Sequence, residues 1–141
     1  MNRSFFIILI LSICVSANFG FAQDVDGRLM AFNEVIAPNY KVERKGGDLV
    51  IEGYREGELV KVDKVNIFDL DMETLKISSV DSTVSVKCYS DLDGCVARTL
   101  TKERNKKSYR NRLVFGIDEG RSGEEIAEKL RLFIEDLAKK N

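Results

Sequence analysis

The sequence contains no histidine and no tryptophan. Without an imidazole, nucleophile activation of the Ser-His or Cys-His kind and histidine-ligated zinc are both excluded. The Walker loop, the G-x-G-x-x-G pattern and the G-x-S-x-G pattern are absent as well, so nucleotide-binding and α/β-hydrolase functions lack support. These absences remove many common hydrolases from consideration.

Long apolar runs are also missing. The main one, from Phe5 to Val15, is about half the roughly 20 residues that a membrane-spanning helix needs. It follows Arg3, and small residues at Gly20 and Ala22 occupy the positions that a signal peptidase prefers. We therefore predict a signal peptide at residues 1–22, cleaved after Ala22, and a periplasmic or extracellular protein with no transmembrane span in its mature chain. An uncleaved anchor is the alternative.

The composition suits one folded domain. The chain has 141 residues, of which 44% are hydrophobic and 32% charged, with a net charge of −1. The predicted leader removes one cation, Arg3, so the mature chain is slightly more acidic and no nucleic-acid partner is expected. We predict an N-terminal segment at 23–38, in which Leu29, Phe32 and Ile36 indicate a helix, and a single β-rich domain at 39–141.

The two cysteines of the mature chain predict a disulfide. Cys88 and Cys95 form an even pair in an oxidising compartment, and Asp93-Gly94 between them is a turn signal. We predict a β-hairpin in which the two sulfurs lie opposite each other and close a short loop, for about 2 kcal/mol of stability. This register would place Val96 and Leu100 on the outer face of the second strand.

Alternating apolar residues between Tyr40 and Ile117 predict about seven strands. In the strand Leu59–Phe68 the valines change parity, which a bulge near Asp63-Lys64 would reconcile. A capping box at Ser122 and Glu125 then predicts a C-terminal amphipathic helix over 123–139. The fold class is therefore α+β, a curved antiparallel sheet or barrel of about seven strands with a C-terminal helix.

This order of elements resembles the pleckstrin-homology-like superfold, in which a C-terminal helix plugs a seven-stranded barrel. The segments Val62–Ile67, Asp69-Leu70-Asp71 and Val86-Lys87-Cys88 also look like parts of short, uncharacterised exported bacterial proteins. The first resemblance implies a barrel and basic inter-strand loops that can contact phosphoinositides in cytosolic members, whereas this chain is predicted to be exported. Neither resemblance implies an activity.

The most basic segment runs from Lys102 to Arg112 and includes Tyr109. Arginine offers paired donors to phosphate or carboxylate, and a tyrosine can stack on a base or sugar. The alternative is a solvated hairpin tip. The candidate ligand-binding residues are Lys102, Arg104, Lys106, Lys107, Tyr109, Arg110 and Arg112.

The acidic residues offer a second hypothesis. Asp69 and Asp71, with Glu73 nearby, could act as acid and base in a small hydrolase of extracellular glycans, or form a polar turn. The segment Asp91–Gly94 lacks the further ligands of a calcium loop, and we expect no metal or cofactor. Taken together, the sequence favours an exported, non-catalytic binding or scaffold domain, with an anionic ligand or another exported protein as partner.

Overall fold

The computed structural model describes residues 22–140, which form eight strands and two long helices. The prediction of a signal peptide lies outside the described residues, apart from Ala22. In chain order the elements are α1 (Ala22–Ile36), β1 (Tyr40–Lys45), β2 (Asp48–Arg55), β3 (Glu58–Asn66), a 3-10 turn (Ile67–Asp69), β4 (Leu70–Ser78), β5 (Thr83–Cys88), β6 (Val96–Leu100), β7 (Lys106–Arg110), β8 (Arg112–Gly116) and α2 (Gly123–Lys139).

The strands form two antiparallel sheets rather than a closed barrel, so the barrel expectation is wrong. A five-stranded sheet has the order β1-β2-β3-β6-β7, and a three-stranded sheet has the order β4-β5-β8. The strand that the sequence analysis missed is β7 (Lys106–Arg110), because its charged residues are typical of a solvated loop. β7 and β8 follow each other along the chain but lie in different sheets, and this missing pairing leaves the fold open.

The disulfide is confirmed, but the predicted hairpin around it is wrong. The Cys88 and Cys95 sulfurs are 2.08 Å apart, with their Cα atoms 5.7 Å apart. β5 pairs with β4 and β8, whereas β6 pairs with β3 and β7. The bond therefore joins the two sheets. The start of β6 then turns Val96 inward, where it is fully buried, in contrast to the expected outward position.

The bulge in β3 lies at a different place from the predicted one. The register between β2 and β3 shifts between Gly53 and Tyr54. Gly53 pairs with Lys61 and Tyr54 pairs with Leu59, so Val60 is the extra residue. From Lys61 onward the odd-numbered residues of β3 lie on the same face as the buried Ile51. Asp63 therefore lies on the inner face of the sheet, and Val62 lies on the outer one.

The two helices pack on one another and fill the core. α1 ends before Pro38, whose ring cannot continue a helix. Ser122 caps the start of α2, because its hydroxyl accepts a hydrogen bond from the Glu125 amide. Phe32 of α1 contacts Phe115 of β8 edge to face and stacks on Phe133 of α2, with ring centroids 5.3 and 6.5 Å apart. The predicted C-terminal helix is thus confirmed.

The free edge of β1 is covered by α1. The Asn33 side chain accepts a hydrogen bond from the Val42 amide at 2.7 Å and donates one to the Val42 carbonyl at 2.9 Å. This amide side chain imitates a neighbouring strand, so β1 does not present an open edge there. Within residues 22–140, neither helix is long and apolar enough to cross a membrane.

Candidate functional site: a basic cleft between the two sheets

The gap between β7 and β8 opens onto the inner face of the five-stranded sheet. Both strands meet at Asn111, and their far ends diverge into different sheets. Tyr40, on the opposite edge strand of the large sheet, reaches across and accepts a hydrogen bond from the Gly116 amide at 3.0 Å. The result is a cleft of about 400 Å³. It is lined by Tyr40, Lys61, Thr83, Arg98, Arg110, Asn111, Arg112, Val114 and Gly116.

A buried carboxylate organises the floor of the cleft. Asp63 is fully buried, and Arg98 on the neighbouring strand β6 binds it through two hydrogen bonds of 2.7 and 2.9 Å. Asp63 and Arg98 are direct partners in the β3–β6 register, so the sheet itself brings this pair together. The Lys61 ammonium lies 3.6 Å from the second carboxylate oxygen. One negative charge thus faces two positive ones.

Burial and neighbouring charges alter the titration of both cations. Burial lowers the pKa of Lys61, and the nearby Arg98 and Arg110 charges act in the same direction, while Asp63 opposes them. The hydrogen bonds that Arg98 donates to Asp63 raise the pKa of Arg98. Lys61 also lies over the Tyr40 ring, 5.4 Å from its centroid. The lowered pKa of Lys61 therefore reflects above all its burial, which Asp63 offsets only in part.

The rim of the cleft is also cationic. Arg110 ends β7 and Arg112 begins β8, one on each side of Asn111. Four lysine and arginine side chains line the cleft. Within residues 22–140, no aspartate or glutamate lies on its walls. The carboxylate beneath them belongs to Asp63, which is already bound to Arg98. The cleft therefore presents a surplus of positive charge and hydrogen-bond donors, which fits an anionic group.

The free edge of β8 adds backbone groups to this wall. The Ile117 amide donates to the Ser82 carbonyl, and the Cys88 amide donates to the Asn111 carbonyl. The register between β5 and β8 is continuous, so these two bonds show that the backbone N–H and C=O groups of the odd-numbered residues of β8 point toward β5. The peptide groups of Arg112, Val114 and Gly116 point the other way, and the Gly116 amide is the one that Tyr40 binds.

The structure brings together two of the seven predicted ligand-binding residues. Arg110 and Arg112 line the cleft. The other five lie elsewhere on the same hairpin: the Lys102 ammonium is 2.7 Å from Glu58, and Tyr109 is 72% exposed on the outer face, beside Gly94. The remaining three, Arg104, Lys106 and Lys107, are exposed.

Sequence reasoning missed Lys61, Arg98 and Tyr40. One signal was available in the sequence. In β3 and β6, charged residues share the inward-facing positions with buried apolar residues such as Val65 and Val96. The sequence reading treated that irregularity as a bulge. Because the partners Asp63 and Arg98 are 35 residues apart, the pair becomes visible only once the β3–β6 register is known.

The acidic residues do not form an equivalent site. Asp71 and Glu73 line a groove of about 390 Å³ with the exposed Phe68 and Tyr89, but Asp69 is not part of its wall. The Asp71 carboxylate accepts a hydrogen bond from the Glu73 amide, as in a turn. Among the residues that the structure describes, no group of three cysteine or acidic side chains could hold a metal ion.

Comparisons of the chain with known protein families, with curated proteins and with solved structures found no match.

Proposed function

We propose that this protein is an exported, non-catalytic binding domain whose ligand carries an anionic group that enters the cleft between β7 and β8. The observation that carries this proposal is the convergence of Lys61, Arg98, Arg110 and Arg112 on one cleft whose walls hold no acidic side chain within residues 22–140. The disulfide between Cys88 and Cys95 supports export, because such bonds persist in oxidising compartments. The likeness to pleckstrin-homology-like domains stays a prediction on which this proposal does not depend.

The cleft improves on an ordinary basic surface in two ways. First, Arg98 is held in place by its bidentate bond to Asp63, so little side-chain entropy is lost when it meets a ligand. Second, the Lys61 side chain is only 18% exposed, and partial exclusion of water strengthens its attraction for an anion. The exposed lysines of the hairpin tip have neither advantage, which is why the proposal centres on the cleft.

The proposal is tested with tripolyphosphate as a probe in isothermal titration calorimetry. The double variant Arg110→Gln/Arg112→Gln removes two cleft cations without removing a buried partner. We expect it to weaken binding by roughly tenfold or more, since a hydrogen bond to a charged group contributes about 1.5–3 kcal/mol. The matched control Arg104→Gln/Lys107→Gln removes the same charge from exposed positions.

The control double variant should change the affinity by less than about threefold at physiological salt, where charges beyond a Debye length are screened. If the two double variants lose affinity equally, the probe senses only the overall charge and the cleft is not the site. If tripolyphosphate does not bind the wild-type chain at all, the proposed function is wrong.

A further inference from the structure

The wall of the cleft formed by β8 has a property that a small anion does not use. Its free edge presents peptide N–H donors and also peptide C=O acceptors, at Arg112 and Val114. A sulfate or a fully ionised phosphate ester can accept from the N–H groups but has no donor for the carbonyls. An extended peptide satisfies both kinds of group at once.

Resting on the proposed function, we propose that the ligand is an extended acidic peptide that adds a strand to the free edge of β8. The added strand would occupy the gap between β8 and β7, the two consecutive strands that do not pair. Acidic side chains on one face of the peptide would meet Lys61, Arg98 and Arg110. The backbone supplies the docking mode, and the cations supply the preference for acidic residues.

The dimensions fit a short segment. β8 runs from Arg112 to Gly116, so an added strand of about four or five residues covers it at roughly 3.4 Å per residue. The far end is closed where Tyr40 already binds the Gly116 amide. The added peptide therefore forms hydrogen bonds with the backbone of Val114 and Arg112 and ends at Tyr40.

The other sheet edges are less suited to this role. α1 covers β1 through Asn33. The β4 edge bends at the register shift between Asp71 and Lys76, and such irregularities are a common protection against strand addition. The β7 edge carries exposed lysines and an arginine. It borders the same cleft, so a strand that covers the inner face of the sheet there enters through the cleft.

The experiment measures binding of fluorescein-labelled peptides with alternating glutamate and valine, six residues long, to the full chain by fluorescence anisotropy. Two further peptides have the same sequence but carry N-methyl groups on alternate amides, one set on each edge of the extended chain. We expect the two N-methylated peptides to differ by about tenfold or more, because only one edge faces β8. A lysine-valine peptide is expected not to bind.

Two variants of Val114 locate the docking edge. Val114→Pro removes the amide on the free edge, a position where an edge strand tolerates proline, and should weaken the acidic peptide by about tenfold. Val114→Thr keeps the amide and should weaken the acidic peptide much less than Val114→Pro does. If Val114→Pro fails to fold, the pair of N-methylated peptides still decides the matter.

The inference is overturned if both N-methylated peptides bind as tightly as the parent peptide, or if tripolyphosphate binds well and the acidic peptide does not. In either case tripolyphosphate binding that depends on Arg110 and Arg112 would leave the proposed function standing. Peptide binding without preference for acidic residues would contradict the inference, and the tripolyphosphate titration would still decide the proposed function.

Discussion

Among the described residues 22–140, the inner face of the five-stranded sheet carries a buried ion pair in one half and none in the other. Under α1, the half formed by β1 and β2 is apolar, with Val42, Leu49 and Ile51 at most 2% exposed. In the half formed by β3 and β6, the row of Val42 and Ile51 continues as Asp63 and Arg98, whereas the row of Leu49 continues as the buried Val65. The apolar half is covered by helices, whereas the ionic half faces the gap between β7 and β8.

The difference teaches that the ionic half is not an extension of the core. A folding core gains little from buried charges, because desolvation offsets their attraction, and apolar replacements of such pairs are often neutral or stabilising. Asp63 and Arg98 therefore need another reason for their place in the sheet. The proposed binding function supplies that reason, since Asp63 holds Arg98 in place beside the cleft.

The largest effect is expected for Asp63→Ala. This change leaves Arg98 and Lys61 without their buried carboxylate, and breaking a buried pair in this way costs about 3–5 kcal/mol of the free energy of unfolding. Urea denaturation measures the loss. The control Asp48→Ala removes a carboxylate that is 35% exposed and lies 3.3 Å from Lys64, and should cost less than about 1 kcal/mol. Equal losses for the two variants would erase the distinction between the ionic half and an ordinary surface.

The next effect concerns the disulfide that joins the two sheets. The double variant Cys88→Ser/Cys95→Ser opens a short loop, and the chain-entropy estimate gives a loss of about 2 kcal/mol. Thermal unfolding with and without reductant gives the comparison, since the reduced wild type should match the variant. Because Cys88 lies beside Arg110, which lines the cleft, the variant should also bind tripolyphosphate less tightly. Full stability in the variant would show that the sheets hold together without the bond.

A smaller effect is expected where the two halves meet, at Tyr40. Tyr40→Phe keeps the ring contact with Phe115, whose centroid is 5.3 Å away, but removes the acceptor for the Gly116 amide. The loss should be about 1 kcal/mol. The control Tyr54→Phe removes a part-buried hydrogen bond between the side chains of Tyr54 and Glu52, leaves every backbone amide with its partner, and should cost less than Tyr40→Phe, about 0.5 kcal/mol. The order of the two values in denaturant titrations decides whether Tyr40 closes the cleft.

The smallest effect is a pH dependence at Lys61. Burial lowers the pKa of this lysine below its ordinary value of 10.5, so the unfolded chain binds more protons than the folded chain between the lowered pKa and 10.5. The contribution of Lys61 to the free energy of unfolding therefore rises with pH across that window, and at lower pH its charged form costs stability. In Lys61→Met this rise should be absent. Denaturation curves for variant and wild type that keep a constant difference from about pH 8 to about pH 11 would contradict the assignment.

How much of this fold could be predicted depends on how local its signals are. The helix α2 follows from the cap at Ser122 and the apolar spacing after it, both of which are local. The disulfide follows because Cys88 and Cys95 are the two cysteines beyond the predicted leader. The turn signal Asp93-Gly94 indicates a change of direction, but it cannot indicate which sheet the next strand joins, and the predicted hairpin was wrong for that reason.

The candidate site was less predictable than the fold. Arg110 and Arg112 belong to a run of cations that any reading of the sequence would notice. Lys61 and Arg98 lie in strands where charged residues are normally assigned to the solvent face. They become site residues only through the long-range register that places Arg98 opposite Asp63, and through the gap that the missing β7–β8 pairing leaves.

The most direct test of the ionic half as a binding surface is a titration of the ¹⁵N-labelled chain with tripolyphosphate, followed by amide chemical shifts. The account predicts the largest shifts at Lys61, Arg98 and the stretch 110–114. Shifts confined to the exposed tip at 102–107, with the amides of Lys61 and Arg98 unchanged, would contradict it.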